Sequence, residues 1–531
     1  MSTSTYNDAN PVWLEVPLPE FPALNSDIKV DVAIVGGGLT GLTAGYMLAN
    51  EGVRVAIIER GRLASADTGH TTAHLTYVTD YRLHQLVSHF GKEGATAFWR
   101  AGAKAIDTIE SIAARNKKAN KTDCEFRRVP GYLHNSLRAN AKGELERLHQ
   151  DCDLANELGF AATWIDDVPR INTFGIQFHH QAKFHPRKYL KGLVDAICAR
   201  GGQIFENTNY EETEQSPLAL RANGKRIKCD YVMIATHNPL MGAKGVIGAS
   251  LLQTKLALYS SYVLGARLPI NTLPEALFWD TGDPYDYLRV DNHADHQYAI
   301  FGGDDVKTGQ ETDTAQVFEK LRARFMAMFP QAQITHRWMG QVVETDDGLP
   351  FIGENAPRQF VATGFCGNGF TLGTLAAEMA RDSFLQRDHE YADLLRTDRK
   401  PFHGGIWRYI TENVDFPTHL VGDRMKKTEL HLEDLKNGEG GIVELQGKKV
   451  AAYRSADGEL QLCSATCTHL GCLVKWNNVD NTWDCPCHGS RFKPDGTVFS
   501  GPAEKPLERL AQLDKPASLR SESQSTATRH Y

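Results

Sequence analysis

With 531 residues the chain is too long for one ordinary core and should hold about three domains. Its 41% hydrophobic and 23% charged residues exclude a largely disordered protein, and a net charge of −7 leaves no basic stripe for nucleic acid. The most apolar stretch, residues 30–48, is broken by Gly36, Gly37, Gly38, Gly41 and Gly45, so no transmembrane segment is expected.

Residues 1–29 form a polar, proline-bearing N-terminal arm without a basic start, an apolar run or twin arginines, which predicts a cytoplasmic protein. Asp31 to Val35 is a short apolar run of buried-strand type, helical spacing follows through Leu42, Met47 and Leu48, and residues 53–59 read as a second strand. Between strand and helix, Gly36-Gly-Gly38-Leu-Thr-Gly41 fits G-x-G-x-x-G, and Glu59 follows Gly41 by 18 residues. Gly36 permits the tight turn, Gly38 lets amides approach a pyrophosphate, and Gly41 lets helix pack on strand. The helix start favours phosphate charge, and Glu59 can accept hydrogen bonds from a ribose diol. A dinucleotide site is therefore expected.

Residues 81–158 are mostly helix-like, whereas residues 253–309 alternate and are rich in aromatics, as in Tyr259-Ser-Ser-Tyr-Val-Leu264 and Tyr287-Leu-Arg-Val290. Those segments read as antiparallel strands. Residues 391–428, punctuated by Pro401, His403-Gly-Gly405 and Pro417, read as a linker, flexible around 401–423. From residue 429 to 512 short β-like pieces alternate with turn residues, and 513–531 reads as a disordered tail.

Three further segments choose between FAD and NAD. Cys229-Asp-Tyr-Val-Met-Ile-Ala-Thr236, Thr345-Asp-Asp-Gly-Leu-Pro-Phe-Ile-Gly353 with Phe360-Val-Ala-Thr-Gly-Phe-Cys-Gly-Asn-Gly-Phe-Thr371, and the Ser65 to Thr72 loop resemble the D-amino-acid oxidase and sarcosine oxidase family. The resemblance implies an α/β two-subdomain FAD-binding fold, a Rossmann-like parallel sheet plus an antiparallel substrate sheet, over residues 30–390. FAD-binding parts would fall near 30–80, 170–250 and 335–385, and the substrate subdomain near 81–169 and 251–334. It implies FAD contacts from Gly36, Gly38, Gly41, Glu59, Arg60, His70, Thr71, Thr72, Thr236, Gly364, Gly369, Phe370 and Thr371. Gly340 stands where the monomeric sarcosine oxidases carry a flavin-linking cysteine, which closes that covalent route and leaves a histidyl link through His70 or His74 as the other option.

The same resemblance assigns catalytic roles. Asp305-Val-Lys307-Thr-Gly309 resembles the family's Lys-x-Gly segment, which implies that Lys307 stands at the flavin edge, orienting a water or favouring proton loss from a substrate ammonium. Tyr259, Tyr287 and Arg289 are expected to bind a substrate carboxylate through a bidentate guanidinium and phenol hydrogen bonds. The alternative is a solvated turn lysine and an ordinary strand face. His336 and Trp338 read as packing.

Five of the ten cysteines fall within residues 463–487. Cys467-Thr-His469 and Cys485-Pro-Cys487-His488 give C-x-H, 15 residues, then C-x-x-H. A Cys2His2 zinc site usually pairs like with like, whereas each half here mixes a thiol and an imidazole. The pattern resembles the Rieske [2Fe–2S] family, which implies that Cys467 and Cys485 hold one iron and His469 and His488 the other. Cys472 and Cys487 match the loop-bridging disulfide of the cytochrome bc type, and Ser490 its cluster hydrogen-bond donor, but Phe492 stands where that type has a tyrosine. Losing that donor implies a lower potential.

A small all-β Rieske domain after a flavin domain implies oxidation of an amine or amino-acid substrate by hydride transfer to FAD. Electrons then leave singly through the cluster to a one-electron acceptor protein or quinone-linked carrier. The alternatives are a Rieske-type oxygenase, for which His84, His89 and Asp80 are the available iron ligands, and an electron-transfer protein without its own organic substrate.

Overall fold

The computed structural model describes residues 10–138, 142–239, 252, 255–311, 313–399 and 430–510. They belong to two units, residues 1–414 and 415–531. Most of the expected linker, including its 401–423 stretch, lies outside the described residues, as does the expected tail at 513–531.

The first unit contains three sheets among its described residues, a small four-stranded one and the two that frame the site. Strands Val32–Val35, Val55–Ile58 and Tyr231–Ile234 are buried at every position, as parallel strands covered on both faces must be. With Gln203–Phe205 and Gln359–Thr363 they form a parallel sheet edged by the antiparallel strand Phe351–Ala356. Helices Leu39–Asn50, Pro186–Ala199 and Gly369–Phe384 pack as a layer over it.

The second sheet has nine strands and is antiparallel throughout except where Leu277–Asp280 runs parallel to Arg127–His134. Its long members Leu256–Leu268, Gln297–Lys307 and Gln333–Thr345 include the aromatic-rich segment at 259–264. Two of its strands, Gly175–Lys183 and Gln333–Thr345, come largely from stretches the sequence assigned to FAD binding. The helix-like region also contains the strand Arg127–His134 between helices Leu83–Asn120 and Glu144–Glu157. Pro130 and Gly131 lie in the middle of that strand. In the structure the register shifts there, and a Cβ on Gly131 would stand 2.7 Å from the Trp279 ring.

The second unit has two small antiparallel sheets, of three and four strands, around a core of Trp483, Phe492, Val474 and four cysteines. Buried Arg491 braces it through Asp480 at 2.6 Å and Asp484 at 3.1 Å. No helix among the described residues is long and apolar enough to cross a membrane.

Candidate active site

The glycine turn is shaped by close approach. A Cβ on Gly36 would stand 2.5 Å from the Ala235 carbonyl oxygen, and one on Gly41 would run into the carbonyl of Gly36. Gly36 also has φ of 109°. Replacing Gly41 by alanine is expected to cost about 1–3 kcal/mol of cofactor-site geometry, hence roughly 5- to 150-fold in FAD affinity. The ratio of flavin to protein absorbance after gel filtration checks it. Glu59 follows the neighbouring strand Val55–Ile58, and its two carboxylate oxygens accept from Gly37 N–H and Gly61 N–H, each at 2.8 Å. A carboxylate has acceptor positions beyond these two for a diol. Arg60 follows it directly.

The other expected FAD residues lie on the loop of residues 65–72, after the strand Tyr231–Ile234, and at the start of helix Gly369–Phe384. Thr236 follows the strand Tyr231–Ile234, where its hydroxyl donates to Asn238 O at 2.6 Å. Trp13 Nε1 donates to Thr71 O at 2.7 Å and Trp338 Nε1 to His70 O at 2.9 Å, so two indoles fix the loop of residues 65–72. A Cβ on Gly340 would lie 3.0 Å from that same His70 oxygen. The His70 ring bonds Ala66 O at 2.9 Å; His74 meets the Thr72 hydroxyl at 3.0 Å, and burial with the Arg289 charge lowers its pKa to about 3. His336 bonds Tyr298 at 2.8 Å, which is packing.

Gly364 has φ of 74°, and Gly369 opens helix Gly369–Phe384 with nothing within 4 Å of the position its Cβ would take. Helix-start amides have no intrahelical partner, so this open cradle fits a polar ring edge. The side chains of Phe370 and Thr371 are engaged inside the protein. The Phe370 ring packs edge-on to Phe184 at 5.0 Å, and the Thr371 hydroxyl donates to Thr76 O at 3.1 Å.

Of the four expected catalytic residues, three share one region. Tyr259 is in register with Lys307, the last residue of its strand, and the Tyr287 hydroxyl bonds Ser261 Oγ at 2.8 Å on the same sheet. Arg289 does not join them. It is 2% exposed, ion-paired with Asp291 at 3.0 Å, and donates to the carbonyls of Ala73 at 2.9 Å and Phe184 at 2.8 Å. The expected carboxylate clamp is therefore corrected to a structural tie, because its donors are spent inside the protein. Nor do the expected oxygenase ligands come together: among the described residues His84, His89 and Asp80 form no group that could hold a metal ion, and His84 Nδ1 bonds Asp151 at 2.8 Å while Asp80 accepts from Tyr285 at 3.2 Å.

Sequence reasoning gave no substrate role to Asp80, Asp305, Tyr285 or Ser261, which face the same region. The available signal was Gly302-Gly-Asp-Asp305, a bulge-forming run two residues before Lys307.

In the second unit two loops of matching design present the cysteines and histidines. Cys467 N–H donates to Cys472 O at 2.8 Å and Gly471 N–H to Cys467 O at 3.0 Å; Cys485 N–H donates to Ser490 O at 2.8 Å and Gly489 N–H to Cys485 O at 3.0 Å. Gly471 and Gly489 each follow their cysteine by four residues with φ of 84° and 68°. The His469 and His488 rings stand perpendicular at 5.0 Å. Burial and the His488 charge lower His469 to about 4, which keeps it neutral and able to ligate. The Cys467 thiol is lowered to about 7, chiefly by its hydrogen bond with Cys485.

A disulfide joins Cys472 to Cys487, bridging the loops. Its sulfurs lie within 4.8 Å of Cys485 Sγ, but two of the three are bonded to each other, so this trio is no thiolate metal site. Two thiols and two imidazoles on paired loops fit a [2Fe–2S] cluster with Cys467, Cys485, His469 and His488 as the holding residues.

Comparison with known proteins agrees with both halves. Residues 31–383 match the FAD dependent oxidoreductase family model and residues 426–513 the Rieske [2Fe-2S] domain model. The chain is 33% identical over 500 residues to YhfW of Bacillus subtilis (strain 168), described as a Rieske 2Fe-2S iron-sulfur protein, covering 93% of this chain and 96% of that one. It is 25% identical to the gamma-glutamylputrescine oxidoreductase of Escherichia coli (strain K12), over 72% of this chain and 90% of that one. Glycine oxidase from Geobacillus kaustophilus superposes with a TM-score of 0.60 at 18% identity, over 70% of this chain and 100% of that one. The chain therefore belongs to the FAD dependent oxidoreductase family and carries a C-terminal Rieske [2Fe-2S] domain.

Proposed function

We propose that the protein oxidises an amine or amino acid at the carbon next to nitrogen and delivers the electrons singly to an external acceptor protein or quinone-linked carrier. The observation carrying this reading is that one chain joins an oxidoreductase unit, with an antiparallel sheet beside its flavin loop, to a Rieske donor set. Bound FAD supplies a two-electron hydride acceptor, and a bound cluster supplies a one-electron carrier.

The organic half-reaction balances: R–CH2–NH3+ loses a proton from nitrogen and a hydride from carbon to give R–CH=NH2+. Water then converts the iminium to an aldehyde, or a keto acid, and an ammonium. Lys307 supports it by disfavouring the protonated substrate amine beside its own charge. Tyr259 is the cross-strand partner of Lys307, and Tyr287 is fixed by Ser261. The relatives named for gamma-glutamylputrescine and glycine support a C–N substrate.

Anaerobic mixing of the holoprotein with amines and amino acids tests this, with flavin absorbance and the reduced-cluster EPR signal followed in the same samples. Bleaching of the flavin followed by the cluster signal is expected. Reduction of the cluster first and the flavin second, by NAD(P)H or a reduced carrier alone, would overturn it.

A further inference from the structure

Three segments expected to hold FAD meet at His237, a residue with no role in the reading above. His237 lies two residues beyond Ala235, whose carbonyl oxygen would stand 2.5 Å from a Cβ on Gly36. Its imidazole Nδ1 bonds Asp67 Oδ2 at 2.8 Å, in the loop of residues 65–72. Its carbonyl accepts from the Thr363 hydroxyl at 2.5 Å, next to Gly364, and its ring lies nearly parallel to that of Phe365 with centroids 6.2 Å apart. His237 also has φ of 62°, which is uncommon for a residue with a side chain. Such a backbone persists where the surrounding contacts over-determine it, as these do.

Asp67 brings the other half of the arrangement. Beside it, Thr68 Oγ1 accepts from Leu39 N–H at 3.2 Å, at the first residue of helix Leu39–Asn50. The same oxygen would stand 2.9 Å from a Cβ on Gly38. Ahead of the loop, Ala64 N–H donates to Gly37 O at 3.1 Å. Residues 64–68 therefore flank the glycine turn on its helix side, and residues 235–237 flank it at Gly36. The Asp67–His237 bond joins the two flanks. Turn, loop and strand end thus close a circuit of contacts beside the helix start, where phosphate charge is favoured.

We propose that the Asp67–His237 pair is a clasp that retains the FAD dinucleotide at the glycine turn. Both are positioning residues: Asp67 acts through Thr68 and the loop, His237 through residues 235–236, Thr363 and Phe365. The clasp concerns the cofactor alone, whichever substrate is oxidised.

Retention follows from what must open. A dinucleotide held between loops leaves when one of them swings away, so its release rate reports local opening. Two indoles already fix the loop at His70 and Thr71, which leaves the Asp67 end as the part the pair restrains. The alternative is an ordinary exposed pair, which would change retention by at most about fivefold. Here the side chains of Asp67 and His237 are only 22% and 20% exposed, and the bond ties segments 170 residues apart.

The test is FAD release from the full-length holoprotein, followed after dilution by the rise of free-flavin fluorescence. His237→Ala and Asp67→Ala are each expected to release FAD at least tenfold faster than wild type. The double variant should be no faster than the faster single one, because all three lose the same interaction. Asp67→Asn, which keeps an acceptor for the imidazole N–H, should stay within about threefold of wild type. If His237→Ala does not fold, the contrast between Asp67→Ala and Asp67→Asn decides. Release from Asp67→Ala as slow as from wild type, losses that add in the double variant, or Asp67→Asn as leaky as Asp67→Ala overturns the clasp.

Discussion

Exchange of Arg289 for methionine is expected to destabilise the first unit by on the order of 3–5 kcal/mol, because it removes one partner of a buried ion pair. The residue is 2% exposed, and its guanidinium serves Asp291 together with the carbonyls of Thr72, Ala73 and Phe184. Burial alone would raise the Asp291 carboxyl, but the Arg289 and Lys183 charges outweigh it and hold that group at about 2. Methionine would leave Asp291 with Lys183 alone and strand three carbonyls. The urea midpoint of the holoprotein should fall, with loss of flavin, since Thr72 and Ala73 belong to the cofactor-side loop. A carboxylate-binding arginine would behave differently, raising KM for an amino acid at unchanged stability.

The pH dependence of that cost has a definite sign. The Asp291 carboxyl titrates lower in the folded protein, about 2, than its ordinary value of 3.8. Its ion-paired form therefore contributes stability that is present above about pH 4 and lost as pH falls toward 2. The difference between wild type and Arg289→Met should be full near neutrality and shrink below pH 4. Urea titrations at pH 7 and pH 3.5 measure it.

The fate of Arg289 shows where the sequence stopped being legible. The glycine fingerprint and the C-x-H and C-x-x-H halves are short local patterns whose backbone geometry is set within a few residues, so their meaning survives without tertiary information. Arg289 lies on a strand paired with its neighbours in sequence, but its guanidinium meets segments far from it in the chain. Asp291 is two residues away, yet nothing in Tyr287-Leu-Arg-Val290 announces that loop carbonyls from residues 72, 73 and 184 converge on the guanidinium. Asp305 was hidden for another reason. It is one of two adjacent aspartates, and only the bulge at Asp304 separates the one that pairs with arginines from the one that does not. The strand Arg127–His134 was missed because Pro130 and Gly131 are turn residues by local preference, whereas packing against Trp279 needs a residue without a side chain there.

Cys485→Ser is expected to strip the iron from the protein while leaving the flavin in place. Cys485 is 2% exposed and belongs to one of the two loops whose matched hydrogen bonds frame the donor set. A serine hydroxyl at this position is a poor substitute for a thiolate toward iron, and the loss should exceed the 10- to 100-fold typical of supporting residues around a metal, roughly a hundredfold or more. Iron per chain by elemental analysis should fall from about two to near zero. The fold of the second unit should persist, because the Cys472–Cys487 disulfide, the buried Trp483 and the Arg491 ion pairs do not depend on Cys485. In the same variant, substrate should still bleach the flavin, whereas turnover with a one-electron acceptor should drop by about the same factor as the iron. Acceptor turnover that survived the loss of iron would mean that electrons leave directly from the flavin, and the relay through the cluster would have to be abandoned.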